Sequence, residues 1–246
     1  MSKTILTVLL IVCFSGIASH STELPSSATY VFYIQGEYAG KCAIDLAEDG
    51  DLVVFKSTTD IHFDDYKLAL TSRTEIEKGT LRPRFFEYEG VRMGKKISGT
   101  TWSEGDSIAA DNAIDGEHFP SGARFDGAVY LFENYVSEHQ IVLAWAIDKS
   151  KEPFMRFNVL LPSEFITLPS LATLDSEIEL PTAPNPTVCK KYGVAMKNSG
   201  PYYTYYDPKR RMPVYMDFPS ANTEVFLEGT YEGTPQTKYV RPEEPK

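Results

Sequence analysis

Tyr66-Lys67-Leu68-Ala69-Leu70-Thr71-Ser72-Arg73-Thr74-Glu75-Ile76 decides the fold class. Tyr66, Leu68, Leu70 and Ile76 alternate with Lys67, Thr71, Arg73 and Glu75, which is the period of a strand. One apolar face and one wet face suit an antiparallel sheet. Further strands are expected at Tyr30–Gln35, Tyr38–Leu46, Leu52–Thr59, Arg84–Glu89 and Lys95–Trp102. Asp49-Gly50 separates two of them and predicts a type I′ hairpin, which needs positive φ at both central residues. Lys78-Gly79, Glu104-Gly105 and Asp115-Gly116 mark more turns, and the spacing predicts a long antiparallel meander. Strand patterns resume late in the chain, at Val188–Met196, Tyr202–Tyr206, Pro213–Phe218 and Thr223–Glu228. The composition agrees: aromatic residues make up 13% of the 246 residues, with 15 Tyr and 14 Phe, the kind of side chain that favours strands.

One segment has a different period. Val129, Phe132, Val136, His139, Leu143 and Ala146 recur at spacings of three and four, and Asp126 is placed to cap a helix ahead of them. The pattern predicts one substantial helix over Gly127 to about Ile147, with a break near Glu138 allowed. Glu133, Asn134, Ser137 and Glu138 would form its polar side. Ile141–Ile147 taken alone reads equally as a strand, because a short apolar run does not distinguish the two.

The N-terminus reads as an address. Met1–Lys3 carries one positive charge, Ile5–Ile17 is almost wholly apolar, and Gly16, Ala18 and Ser19 are small. That is the order of regions in a signal peptide, and the run is too short for a comfortable membrane span. Cleavage fits best after Ala18, with the His20–Ser21 bond as the second choice. Lipidation at Cys13 fits less well, because Val12 before it is not small. Expected boundaries are therefore a signal peptide over 1–20, one β-rich domain over 21–232, and a flexible polar, Pro-rich tail over 233–246. Removal of Cys13 leaves Cys42 and Cys189 in an oxidising compartment, where an even count points to a disulfide; two separate buried thiols are the alternative.

Charge and motifs exclude more than they assign. A net charge of -10 argues against nucleic acid, whose phosphates need a basic surface. No HExxH, GxSxG, Walker loop or dinucleotide fingerprint occurs, so no catalytic residue, metal or cofactor is assigned and a non-enzymatic role is expected. With 34 acidic residues, an enzyme built on a carboxylate pair stays open. Asp60, His62 and Asp64 would share a strand face, but read better as a solvated strand end. Asp111–Glu117 loosely resembles a calcium loop, yet Ala113 stands where an oxygen ligand is needed. His118 falls in an expected loop, and His139 on the apolar stripe is expected to be hydrogen-bonded and partly buried. Tyr202-Tyr203-Thr204-Tyr205-Tyr206, as a strand, puts Tyr202 and Tyr206 on one face and Tyr203 and Tyr205 on the other.

The aromatic first strand Tyr30-Val31-Phe32-Tyr33-Ile34 runs into Gly36-Glu37-Tyr38-Ala39-Gly40, and Thr80-Leu81-Arg82-Pro83 precedes another aromatic strand. Over roughly residues 28–230 this order resembles exported bacterial proteins of uncharacterised domain families, distantly like periplasmic lipoprotein carrier and sorting factors. The resemblance implies a mainly β fold, a strongly curved antiparallel half-barrel or clamshell; a long curved sheet must bury its concave face, and one helix is available to pack on it. It carries over no catalytic residue. A wide concave face covered by one helix would leave an apolar site, and Tyr66, Leu68, Leu70, Phe132, Val136 and Leu143 are the candidate ligand-binding residues. The expected partner is a lipid or other apolar small molecule in the cell envelope, with a protein partner or structural role as the alternative.

Overall fold

The computed structural model describes residues 24–150, 152–182, 185–197 and 199–230. The expected signal peptide, Cys13 and the expected tail lie outside the described residues.

The first half of the chain is a run of hairpins: β1 (Ser27–Ile34), β2 (Glu37–Asp49), β3 (Leu52–Phe63), β4 (Tyr66–Glu77), β5 (Pro83–Arg92), β6 (Lys95–Glu104), β7 (Ser107–Ile114) and β8 (Glu117–Arg124). A short β9 (Val129–Leu131) leads to the helix α1 (Ser137–Ser150). The second half comprises β10 (Phe154–Leu161), β11 (Ile166–Leu180), β12 (Thr187–Met196), β13 (Tyr202–Asp207), β14 (Met212–Phe218) and β15 (Thr223–Leu227). All fifteen strands form one curved, non-closed sheet in the order β8-β7-β6-β5-β4-β3-β2-β1-β15-β14-β13-β12-β11-β10-β9. Each half is thus a meander, and the pairing of β1 with β15 joins them. The fold is the mainly β, long antiparallel architecture that the strand periods predict.

Two-residue turns set the registers. Gln35-Gly36, Met93-Gly94 and Asp115-Gly116 take positive φ at both positions, the type I′ geometry that matches strand twist. At Gly50-Asp51 only Gly50 does, at 55°, so the hairpin expected there forms in a different turn type. In β4, Leu68, Leu70, Ser72, Thr74 and Ile76 are buried while Lys67 is exposed and Arg73 is half-buried. The register read from the sequence is therefore the one adopted.

The helix differs from its expected form. It begins at Ser137 rather than Gly127, and Val129–Leu131 is a strand that pairs parallel to β10. A parallel pair cannot be joined by a tight turn; it needs a crossover, and α1 is that crossover. Ile141–Ile147 is helical. Every residue from Ser137 to Ile147 is buried, so the expected wet side is absent and α1 is a core helix.

Strands from both halves reach α1. Glu138 and His139 touch β3, β4 and β5. Asp148 accepts hydrogen bonds from Lys190 and Tyr192 of β12, at 2.5 and 2.9 Å. Trp145 packs on Phe55 of β3, with ring centroids 5.8 Å apart, and donates its Nε1–H to the Arg211 carbonyl just before β14 at 2.6 Å. In a flat sheet β5 and β12 would lie about 38 Å apart, at ~4.8 Å per strand, whereas a helix with side chains is about 10–12 Å wide. Both sets of contacts hold only because the sheet bends. Its far end also comes round: β9 lies against β5, and Asn112 of β7 donates its Nδ2–H to the Pro162 carbonyl at 2.7 Å.

The expected disulfide is not formed. Cys42 and Cys189 are both buried free thiols. Cys42 is on β2 and Cys189 on β12, with β1, β15, β14 and β13 between them.

Candidate functional site

The start of α1 carries four consecutive polar residues, Ser137 to Gln140, into the interior. Glu138 is fully buried, His139 is 1% exposed and Gln140 is 6% exposed. Glu138 Oε1 accepts from Ser72 at 2.6 Å, from Ser57 at 3.0 Å and from Thr74 at 3.4 Å. These hydroxyls stand on the inner face of β3 and β4, supplied by the strand alternation. Burial pushes the Glu138 carboxyl above the usual carboxylate range, against the pull of those hydrogen bonds. Its other oxygen, Oε2, is buried with no partner among the described residues.

His139 is held at both nitrogens. The backbone N–H of Glu133 donates to Nδ1 at 3.0 Å, so Nδ1 is the acceptor and Nε2 carries the proton, 3.4 Å from Thr74 Oγ1. The ring packs edge-on against Phe86, and burial lowers its pKa to about 3, so the imidazole is neutral. Glu133 accepts from the backbone N–H groups of Asn134 and Ser163 at 3.2 and 2.9 Å, and burial raises its pKa too. Cys42 faces the same turn, its thiol pushed up to about 11 by burial and by Glu138. A thiol that is neither ionised nor exposed is a poor nucleophile.

Gln140 faces the other way, into a pocket of about 160 Å³. Ser137 and Gln140 of the helix, with Phe132 and Tyr135 before it, form one wall. Phe32 of β1, Val225 of β15, Met216 of β14, Tyr202 of β13 and Met196 of β12 form the opposite wall. Exposed Asn134, Ser199, Ser220 and Ala221 mark where it opens to solvent. Aromatic contacts fix the lining: Phe132 with Tyr202 at 5.6 Å, Phe32 with Tyr135 at 5.7 Å, and Tyr202 stacked on Phe218 at 4.9 Å. At the rim a Cβ on Gly200 would lie 2.7 Å from the Ser220 Cβ, so glycine permits that close approach.

Of the six candidate ligand-binding residues, only Phe132 lines this pocket. Leu68 and Leu70 are buried on the inner face of β4, Val136 and Leu143 are buried in the core, and Tyr66 is half-buried against Tyr135. The structure does not bring these six together around a space. Tyr202, singled out within its tyrosine run, is on the inner face and lines the pocket. Met196, Met216 and Val225 carried no sequence signal beyond the alternation of their strands. Gln140 belongs to neither the apolar stripe nor the polar side read from the sequence.

The remaining sequence candidates are dispersed. His62 is exposed, 3.3 Å from Asp60. His118 lies on β8 rather than in a loop and meets Asp111 at 3.0 Å. Among the described residues no three His, Cys, Asp or Glu side chains converge as metal ligands. No helix among them is long and apolar enough to cross a membrane.

No family model matches the chain, and no curated protein does. Among solved structures, a DUF1089 family protein from Pseudomonas aeruginosa is similar to it, at 10% identity and a TM-score of 0.44, covering 73% of this chain and 90% of that one. At that level of similarity nothing is carried over from it to this chain.

Proposed function

We propose that this protein is an exported binding protein that takes the apolar part of a small amphipathic molecule into the pocket beside Gln140. The observation that carries the reading is open space of about 160 Å³ lined by Phe32, Phe132, Tyr202, Met216 and Val225 beside the start of α1. Side chains of this kind close-pack when nothing else is to be accommodated. The size sets the ligand. An engineered apolar cavity of about 150 Å³ binds benzene, so this pocket takes one ring or about six carbons. At ~0.8 kcal/mol per methylene, six carbons contribute about 5 kcal/mol, close to the ~4 kcal/mol or more that association costs. A long acyl chain would therefore extend through the opening rather than be enclosed.

Export rests on the order of Lys3, Ile5–Ile17 and Ala18-Ser19. The mass of the protein from its native host tests it: a chain still beginning at Met1 or Ser2 removes that part of the proposal. Binding is tested by native mass spectrometry of gently purified protein, with displacement of an apolar fluorophore by benzene and hexanol. No co-purifying mass and no displacement would defeat it. The reading then ahead would be a protein-interaction module, favoured by the exposed Phe154, Leu171, Leu174, Ile178 and Val188 on β10–β12.

A further inference from the structure

We infer that the pocket selects a ligand whose buried polar group is uncharged and both donates and accepts a hydrogen bond, with Gln140 as its partner. This rests on the reading of the pocket as a binding site and names what that site takes. Two independent observations support it. First, Gln140 is 6% exposed, lines the pocket, and makes no hydrogen bond to any described residue. Its neighbours on the same turn point elsewhere: His139 is held at both nitrogens and Glu138 through Oε1, by Ser57, Ser72, Thr74 and the Glu133 backbone. The Gln140 amide is not sealed from solvent, so water meets it through the opening of the pocket and an entering polar group can take that water's place. An amide offers two N–H donors and a carbonyl acceptor side by side, so a hydroxyl or a primary amide complements it.

Second, the described lining contains no Lys, Arg, His, Asp or Glu. A carboxylate or an ammonium in this space would lose its water and meet no opposite charge. The acidic groups nearest in sequence to Gln140, Glu133 and Glu138, turn towards Ser163 and the hydroxyls of β3 and β4 and are absent from the lining. The walls at Phe32, Phe132, Tyr202 and Met216 then accept a flat ring or short chain around the polar group. The substrate class is a small neutral aromatic or aliphatic alcohol or amide, or the part of a larger molecule that presents one.

Four probes built on one ring separate the possibilities on the full chain: benzene, benzamide, benzoate and benzylammonium, titrated by calorimetry or by ligand-observed NMR at pH 7. Benzamide is expected to bind about three- to tenfold more tightly than benzene, the range of one good neutral hydrogen bond. It is expected to exceed benzoate and benzylammonium by at least about tenfold. In Gln140→Leu, the preference for benzamide over benzene is expected to disappear. Benzamide no better than benzene, or benzoate as tight as benzamide, overturns the inference while leaving the binding reading standing. If benzene and all three derivatives fail to bind, the binding reading fails first and this inference with it. The wild-type series decides the matter even if Gln140→Leu does not fold, and Gln140→Asn, which draws the amide back by one methylene, gives a second variant with the same expected loss.

Discussion

Glu138, His139 and Gln140 follow one another on one turn of helix, yet they meet two different interiors. Towards β3, β4 and β5 the sheet presents Ser57, Ser72 and Thr74, whose hydroxyls meet Glu138 Oε1 and His139 and leave Glu138 Oε2 as the one oxygen there without a partner among the described residues. Towards β12–β15 and β1 it presents Met196, Tyr202, Met216, Val225 and Phe32, and the Gln140 amide meets open space. Burial alone therefore does not distinguish a structural polar residue from a functional one. What separates them is whether the fold supplies the partner or leaves it to be supplied from outside.

The packed side should break hardest. Trp145 ties the two halves together through Phe55 and the Arg211 carbonyl, and it is 6% exposed. Trp145→Ala is expected to destabilise the fold by about 3–5 kcal/mol, the usual cost of deleting a large buried ring. Urea unfolding followed by tyrosine fluorescence measures it. A loss below about 1 kcal/mol would mean that the helix is not the element joining β3 to β14.

The same side should respond to pH in two opposed ways. Burial holds His139 at about 3, below its ordinary 6.5. Between those values the unfolded chain takes up a proton that the folded chain refuses. The stability from the neutral imidazole is therefore whole above about pH 6.5 and declines as pH falls towards 3, by at most about 1.4 kcal/mol per pH unit. Glu138 and Glu133 are raised above 4.5, so the folded chain keeps protons that the unfolded chain releases. Their contribution is whole below about 4.5 and is lost as pH rises through their folded values. Glu138→Gln keeps the acceptor for Ser57 and Ser72 without the proton. It should be more stable than the parent at pH 8, with the gain vanishing towards pH 4.5. Urea midpoints from pH 4 to 8 decide it; a variant less stable at pH 8 would show that Glu138 works as a carboxylate.

The pocket side should be far more tolerant. Val225→Phe adds a ring from a residue that already faces the space, so its cost should stay within about 1 kcal/mol, against the usual 1–3 kcal/mol for overpacking a filled core. Ala144→Phe, at a helix position 1% exposed and away from the pocket, should incur that full cost. Val225→Phe should also abolish benzamide binding. Equal destabilisation by the two variants would mean that the space beside Gln140 is not available to side chains, and so not to ligands.

These contrasts also mark what was legible in the sequence. Strand alternation gave β4 its register and Tyr202 its face, because one side of each strand is wet and the pattern survives. β8 was missed: it buries almost nothing along Glu117–Arg124, so it has no alternation to read. The helix was misplaced because all its sides are buried, which leaves no polar stripe to set its start. Ser137 and Glu138 therefore read as its polar side. A signal did exist on the other partner. The apolar inner face of β4 is interrupted by Ser72 and Thr74, and that of β3 by Ser57 and Thr59. Hydroxyls at alternate positions on an otherwise apolar face announce a buried polar guest. Nothing comparable marked the pocket, since empty space has no residues of its own.

The smallest effect is expected at the cysteines, where the count pointed to a bond and the fold keeps the thiols apart. Along the sheet Cys42 and Cys189 are about 24 Å apart, at ~4.8 Å for each of the five strand spacings from β2 to β12. Bending does not close that distance, because α1 lies between. Cys42 sits at the helix start, beside Ser137. Lys190, next to Cys189, reaches Asp148 near the helix end. Residues 137 and 148 are about 16 Å apart along a helix rising ~1.5 Å per residue. A disulfide needs Cα atoms within about 7 Å. Reductant should therefore leave the unfolding midpoint unchanged. Alkylation of the denatured, unreduced protein, followed by peptide mapping, should label both residues fully. A single Cys42–Cys189 cross-linked peptide, or a fall in midpoint on reduction, would require the two halves of the sheet to close much further over α1 than they do.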